Sequence, residues 1–218
     1  MEDQAVQLHS FFNSSASYRV RIALALKGIA YETLPVNIRD GEHLAMQYVQ
    51  KLNPCASVPA LIDGEFALGQ SFAIVDYLDR KYPERRLIPL EPAMRARVLE
   101  LSMLIACDIH PVNNLRVLRY LETELMVTPQ QKSAWYRHWI AEGMAGVERL
   151  LERGKSDQWC FGEQPTLADV CLVPQIANAM RMGCDLSPYG HSLAVYEFAL
   201  KHPAFIAAQP QLQPDYVA

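Results

Sequence analysis

Ser14-Ser15-Ala16-Ser17 places three hydroxyls within four residues, with no proline or charge among them. Before them, Val6-Gln7-Leu8-His9-Ser10-Phe11 alternates apolar and polar residues, the period of a half-buried strand. After them, Val20, Ile22, Ala23, Leu24 and Leu26 form an apolar helical run that Gly28 can close with a left-handed cap. A strand that turns directly into a helix presents unpaired backbone N–H groups and the positive end of a dipole. Such a turn suits an anion, whether phosphate, carboxylate or thiolate, and a serine hydroxyl can donate one more hydrogen bond to it. The same serines are also good helix N-caps, so capping and anion binding both stand as readings of this stretch. With no glycine before Gly28, a glycine-rich nucleotide loop is disfavoured.

The elements that must hold this turn follow along the chain. Tyr31–Asn37 reads as a second strand, and strand, helix, strand in this spacing requires parallel pairing. Residues 41–52 are expected to be helical and to stop at Asn53-Pro54. Asp63-Gly64 between two apolar runs, 57–62 and 66–68, is a hairpin signal. Pro59 lacks a ladder donor, which places it at an edge or turn. Gln70-Ser71 precedes a helical pattern through Ile74, Val75, Tyr77 and Leu78 that closes at Tyr82-Pro83. The order β-α-β-α-β-β-α is that of a thioredoxin-like domain over 1–83. Pro83, Pro89 and Pro92, with Glu84-Arg85-Arg86, mark a linker over 84–92.

Beyond the linker strand patterns disappear, and 93–218 reads as an all-helical domain. Residues 93–121 are periodically apolar but for Pro111, and 130–153 form an amphipathic helix with Trp135, Trp139, Ile140 and Leu150 on its apolar side. Thr166-Leu167-Ala168-Asp169 is a capping box, which makes Asp169 a helix-capping residue with no catalytic part. A last helix runs from Leu193 to Leu200. The expected fold class is therefore α/β plus all-α.

Composition narrows the function classes. The 218 residues carry a formal net charge of −4, which leaves no footprint for nucleic acid or an anionic membrane. No apolar run approaches the ~20 residues of a membrane span. Met1-Glu2-Asp3-Gln4 is acidic, unlike a targeting peptide. Five scattered cysteines fit reduced thiols in a cytoplasmic protein. Cys107-x-x-His110 lacks the second pair of a zinc site, so no metal is expected. There is no Gly-x-Ser-x-Gly hydrolase elbow and no Cys-x-x-Cys dithiol.

The residues from Ser14 to Gly28 resemble the zeta-class signature of the glutathione transferases, the class of the maleylacetoacetate isomerases, which reads Ser-Ser-Cys-Ser-Trp-Arg-Val-Arg. The resemblance continues through Asn53-Pro54, Val58-Pro59, Gln70-Ser71, Asp108 to Arg116, Thr166 to Asp169 and Leu172-Val173-Pro174-Gln175. It covers essentially the whole chain and implies the glutathione transferase fold. It also implies a homodimer, with glutathione as cofactor and a small diacid as substrate.

Residue by residue, the resemblance implies a glutathione site made of Ser14, Ser15, Ala16, Ser17, Val58, Pro59, Gln70, Ser71, His110 and Asn114. Ser14 is expected to face the thiol, leaving Ser15 to cap the turn of Tyr18. Pro59 is expected to be cis, with the Val58 backbone pairing with the cysteinyl amide. Gln70 and Ser71 are expected to hold the γ-glutamyl group, with capping by Ser71 a compatible role. Arg181, Arg116 and Arg19 are the candidates for the substrate carboxylates, although Arg19 and Arg21 also suit structural pairing. Two departures stand out: Ala16 replaces the signature cysteine, and Asn13 replaces an arginine that often precedes the serines. The expected activity is glutathione-dependent cis–trans isomerisation of a maleyl diacid. Maleylacetoacetate is its first candidate, maleylpyruvate the second, and general conjugation or dehalogenation a further alternative. An interaction module built on the same fold is disfavoured by the intact Ser14, Pro59 and Gln70-Ser71 set.

Overall fold

β1 (Val6–Ser10) lies inside a four-stranded sheet of order β2-β1-β3-β4 in a computed structural model that describes residues 5–155 and 157–217. Its alternation is realised, with Val6, Leu8 and Ser10 buried and Gln7 and His9 half-buried. α1 (Ser15–Lys27) starts at the cap Ser14 and ends at Gly28, whose φ of 67° is the left-handed conformation that glycine adopts without penalty. β2 (Tyr31–Pro35) pairs with β1 in parallel, as a strand-helix-strand unit demands.

The helix expected over 41–52 is divided. Glu42–Leu44 forms a 3₁₀ turn and α2 is Met46–Lys51, with Ala45 extended between them. Only Tyr48 is buried within these two segments, so no continuous apolar face was present to hold one longer helix. β3 (Ala60–Asp63) and β4 (Phe66–Gly69) form the hairpin, with Gly64 at φ 62°. α3 (Ser71–Lys81) joins α1 in covering the sheet. Val6, Leu8, Val20, Leu24, Leu61, Ile74 and Leu78 form that core, and Val36, Tyr48 and Ala60 form a second cluster.

An ion pair lies between α1 and α3. Lys27 Nζ is 2.8 Å from Asp79 Oδ1, with both side chains at most 2% exposed. Lys27 also donates to the carbonyls of Tyr82 and Arg85 at 2.8 Å, and Asp79 accepts the Leu87 N–H at 3.0 Å. The stretch after α3 is therefore anchored, and the first packed unit comprises Met1–Leu87 together with Leu200–Ala218. This return of the C-terminal stretch differs from a helical domain running to 218. α9 (Pro203–Ala207) lies against α1, and Arg21 Nε donates to Ala208 O at 3.0 Å.

The second unit, Ile88–Ala199, is helical among its described residues. α4 (Pro92–Met103) runs into a π-helical segment, Leu104–Ile109, and a 3₁₀ turn, Pro111–Asn113. Then come α5 (Leu115–Thr123), α6 (Pro129–Gly154), α7 (Leu167–Arg181) and α8 (Gly190–Ala199). The buried stripe of α6 is Tyr136, Ile140, Met144, Val147 and Leu151. Of the four residues expected there, only Ile140 is buried. Trp135 and Trp139 stay half-exposed, and the Trp135 indole N–H reaches the Val112 carbonyl at 3.0 Å. An indole carries a polar edge that favours the border of a core over its centre. The Thr166 capping box is formed, with Asp169 accepting from the N–H groups of Cys160 and Thr166 at 2.7 Å each.

Candidate active site

Strand register gathers the first group of site residues at one end of the sheet. His9 pairs with Ala60, so one step further Pro59 reaches the level of Ser10. Ala60 pairs with Gly69, which delivers Gln70-Ser71 to the same end. The Ser14 turn, Val58-Pro59 and the start of α3 thus share that end, and the Val58–Pro59 bond is cis.

Ser14 is the N-cap of α1, and its Oγ accepts the Ser17 N–H at 3.2 Å. This corrects the assignment of capping to Ser15, which is instead the first helical residue and 6% exposed. Capping uses only a lone pair of the hydroxyl, so the Ser14 O–H remains able to donate to an anion. Ser14 is half-exposed, so the cap does not close its hydroxyl off from solvent. The Ser17 side chain is fully buried, and its Oγ has no hydrogen-bond partner. The first turn of α1 contains no acidic residue, so its positive end is not neutralised there. Ala16 is half-exposed in that turn.

The N-terminus of α3 is open too. Gln70 occupies the cap position at φ 66°, ψ 112° and makes no side-chain cap bond, while Ser71 is the first helical residue and 7% exposed. A positive φ on glutamine costs of order 1–3 kcal/mol, a strain that gathers at functional sites. Ser71 is therefore not the cap, because Gln70 takes that place.

Three residues that the sequence did not single out for the site organise the loop before Pro59. Asn53, 2% exposed, donates to the Ser57 carbonyl at 2.7 Å and accepts the Cys55 N–H at 3.0 Å. Tyr48 also donates to the Ser57 carbonyl, at 2.8 Å. A Cβ on Gly69 would lie 2.9 Å from the Asn53 amide, a close approach that only glycine permits. Gly69→Ala should displace Asn53, cost about 1–3 kcal/mol and weaken glutathione binding. Thermal unfolding and retention on immobilised glutathione check this, and parental values in both would refute it. The sequence marks Asn53 only as part of Asn53-Pro54, a helix stop that also lies in the resembling stretches.

The remaining candidates divide between the units. Arg21 is fully buried and donates to the Ser10 hydroxyl and to the carbonyls of Phe11, Phe12 and Ala208. Burial lowers its pKa to about 10, against the opposing influence of Tyr31, Tyr18 and Asp215. Its partners are carbonyls and a hydroxyl in place of the ion pair considered for it. Arg19 is 2% exposed, and its Nε and Nη2 have no hydrogen-bond partner.

In the helical unit, His110 ends the π-helical segment and is half-exposed. Asn114 caps α5 by accepting the Arg116 N–H at 3.2 Å, and Arg116 itself is exposed. Arg181, exposed in the last turn of α7, donates to Asn178 Oδ1 at 2.5 Å, and Asn178 Nδ2 donates to the Tyr136 hydroxyl at 2.7 Å. Burial pushes the Tyr136 pKa up, and the Arg181 charge opposes this. Asn178 and Tyr136 thus orient the guanidinium, a role without a signal in residue type or spacing. Among the described residues no group of three or more His, Cys, Asp or Glu is placed to hold a metal.

A thioredoxin-like unit followed by a helical unit is the layout of the glutathione transferase fold. The family model for the glutathione S-transferase N-terminal domain matches residues 4–80, and that for the C-terminal domain matches 133–206. A probable maleylacetoacetate isomerase of Vibrio cholerae is 46% identical over 95% of this chain and 97% of its own. The holo structure of a maleylpyruvate isomerase, a bacterial zeta-class enzyme, is 41% identical with a TM-score of 0.94, over 97% of this chain and 100% of its own. The maleylacetoacetate isomerase of Anaeromyxobacter dehalogenans, solved with dicarboxyethyl glutathione and citrate in its active site, is 37% identical with a TM-score of 0.84, over 99% of this chain and 95% of its own. The chain belongs to the glutathione S-transferase family, in the zeta class that contains the maleylacetoacetate isomerases.

Proposed function

We propose that this protein is a glutathione-dependent cis–trans isomerase of a maleyl diacid, with maleylacetoacetate as substrate and fumarylacetoacetate as product. The observation that carries the reading is the turn at Ser14, where a half-exposed hydroxyl caps a helix whose first turn holds no acid. The residues present fit a thiol-bearing, anionic peptide. The open start of α3 at Gln70-Ser71 suits a carboxylate, and the Ser14 hydroxyl with the start of α1 suits a thiolate. When bound, glutathione would supply a nucleophilic thiol for reversible addition to the cis double bond, which leaves a single bond about which the substrate can rotate.

The chain's own residues do the rest. Ser14 and the α1 N-terminus stabilise negative sulfur, while Gln70 and Ser71 take the γ-glutamyl carboxylate and the Val58 backbone takes the cysteinyl amide. Arg181, steered by Asn178, holds a substrate carboxylate. The A. dehalogenans relative, with a dicarboxyethyl group joined to glutathione in its site, accommodates the tripeptide and two carboxylates together. A maleylpyruvate isomerase among the relatives keeps the shorter diacid as the second reading.

Turnover of maleylacetoacetate, maleylpyruvate and a haloacid, each with and without glutathione, tests the proposal. Glutathione-dependent isomerisation of a maleyl substrate supports it; conjugation or dehalogenation without isomerisation would overturn it. Arg181→Ala should raise KM for the diacid by about one to two decades and leave an uncharged electrophile nearly unaffected, since a hydrogen bond to a charged group contributes ~1.5–3 kcal/mol. Equal losses for both substrates would give Arg181 a structural role. We further propose a cytoplasmic homodimer in which the small domain of one subunit meets the helical domain of the other. Light scattering showing a monomer at micromolar concentration would exclude the dimer.

A further inference from the structure

Residues Phe11 and Phe12, which lead into Ser14, are held by groups far away in sequence. The Phe12 N–H donates to Asp215 Oδ2 at 2.8 Å, and the Phe12 carbonyl accepts from Arg21 Nη2 at 3.0 Å. The Phe11 carbonyl accepts both the Ser14 N–H at 3.0 Å and Arg21 Nη1 at 3.4 Å. The Phe12 ring meets Phe11 at 4.7 Å and the edge of Tyr216 at 5.4 Å, while the Arg39 guanidinium lies 5.4 Å from both phenylalanine rings. The C-terminal segment is itself fixed. Gln213, 9% exposed, donates to the carbonyls of Ala207 and Gln209, and the Tyr216 N–H returns to the Gln213 carbonyl.

We propose that the segment Gln213–Tyr216 sets the geometry of the catalytic turn, with Asp215 as a positioning residue acting on Ser14 through the Phe12 peptide. The inference rests on the role given to Ser14 above. Phe12 is 4% exposed, so its N–H needs a protein partner, and a carboxylate is the stronger kind of acceptor. With Asp215 on the N–H and Arg21 on the carbonyl, both polar backbone groups of Phe12 bond to ionisable side chains. Asp215 Oδ1 is buried without a hydrogen bond, so the carboxylate engages the turn through Oδ2. One residue, Asn13, separates this clamp from Ser14, and the Ser14–Phe11 hydrogen bond couples them directly. A rotation of the Phe12 peptide therefore moves the hydroxyl away from the sulfur. The cysteinyl amide and the γ-glutamyl group of glutathione are assigned to Val58 and to Gln70-Ser71, which the clamp does not touch.

The test compares Asp215→Ala and Asp215→Asn with the parent in the full-length protein. Three quantities are measured: kcat for the diacid, Kd for glutathione, and the ultraviolet titration of the bound thiol. Asp215→Ala should lower kcat about tenfold at neutral pH, since a misplacement of ~1 Å in an active site can cost up to about a hundredfold. It should also raise the thiol titration midpoint while changing the glutathione Kd less than twofold. Asp215→Asn retains an acceptor oxygen and should recover most of both losses. A parental kcat and midpoint in Asp215→Ala would overturn the proposal. So would an asparagine variant as impaired as alanine, or losses that follow only the fraction of protein unfolded. The titration needs no diacid: if maleyl substrates fail while the midpoint still shifts, the clamp stands and the substrate assignment falls.

Discussion

Ser14→Ala is expected to raise the pKa of enzyme-bound glutathione and to lower turnover at neutral pH by about one to two decades. A charge-assisted hydrogen bond contributes ~1.5–3 kcal/mol, and each pKa unit corresponds to about 1.4 kcal/mol. A free thiol titrates near ~8.5, so losing the donor returns the sulfur toward a mostly protonated state at pH 7. The sign then fixes the pH dependence. Because the variant's thiol pKa is higher, its deficit shrinks as pH rises and the thiolate forms without help.

The structure adds a second consequence, since Ser14 also caps α1 through the Ser17 N–H. The variant should lose ~1 kcal/mol of stability as well, and that loss has no such pH rescue. Ser15→Ala leaves both the cap bond and the titration midpoint in place. If Ser15→Ala moves the midpoint and Ser14→Ala does not, the roles are reversed. If neither moves it, the backbone amides and the helix dipole carry the activation.

Lys27→Met and Asp79→Leu should each destabilise the protein by about 3–5 kcal/mol, because each removes one charge of a buried ion pair. The double variant should cost less than the sum of the two singles, since neither charge then remains. The coupling extends to the stretch after α3, because Lys27 holds the carbonyls of Tyr82 and Arg85 while Asp79 holds the N–H of Leu87. Both singles should therefore increase proteolytic cleavage between 82 and 87. Urea unfolding of the three variants measures the energies, and singles costing under about 1 kcal/mol would place this pair with ordinary surface bridges.

The order of the first seven elements was legible because each carries its own punctuation. Gly28 closes α1, Asp63-Gly64 turns the hairpin, and strand alternation separates β1 from the helix after it. The anion-binding turn was legible as a type of place but not as a division of labour. Nothing in Ser14-Ser15 reveals which hydroxyl meets the Ser17 N–H, because that depends on the dihedral angles at a single junction. Apolar character misled at α6, where the two tryptophans look like core but leave the buried stripe to Tyr136, Ile140, Met144, Val147 and Leu151. The Asn53–Gly69 approach and the Asp215–Phe12 bond escaped for another reason. Both join residues far apart in sequence through atoms with no periodic signature. Arg181 was singled out by resemblance, whereas its support through Asn178 to Tyr136 follows only from a side-chain hydrogen bond between α7 and α6.

The border position of Trp135 and Trp139 has a practical side. The chain's three tryptophans are Trp135, Trp139 and Trp159, all within the helical unit, and Tyr18 stands where the resembling signature has a fourth. Indole emission therefore reports on Ile88–Ala199 alone, while tyrosine emission and far-ultraviolet dichroism report on both units. Overlaying the two signals along a urea titration shows whether the units unfold together or in sequence, without any added label. A Lys27 or Asp79 variant that loosens the thioredoxin-like unit first would separate those two curves, and its dichroism would begin to fall while the indoles still glow at their native wavelength.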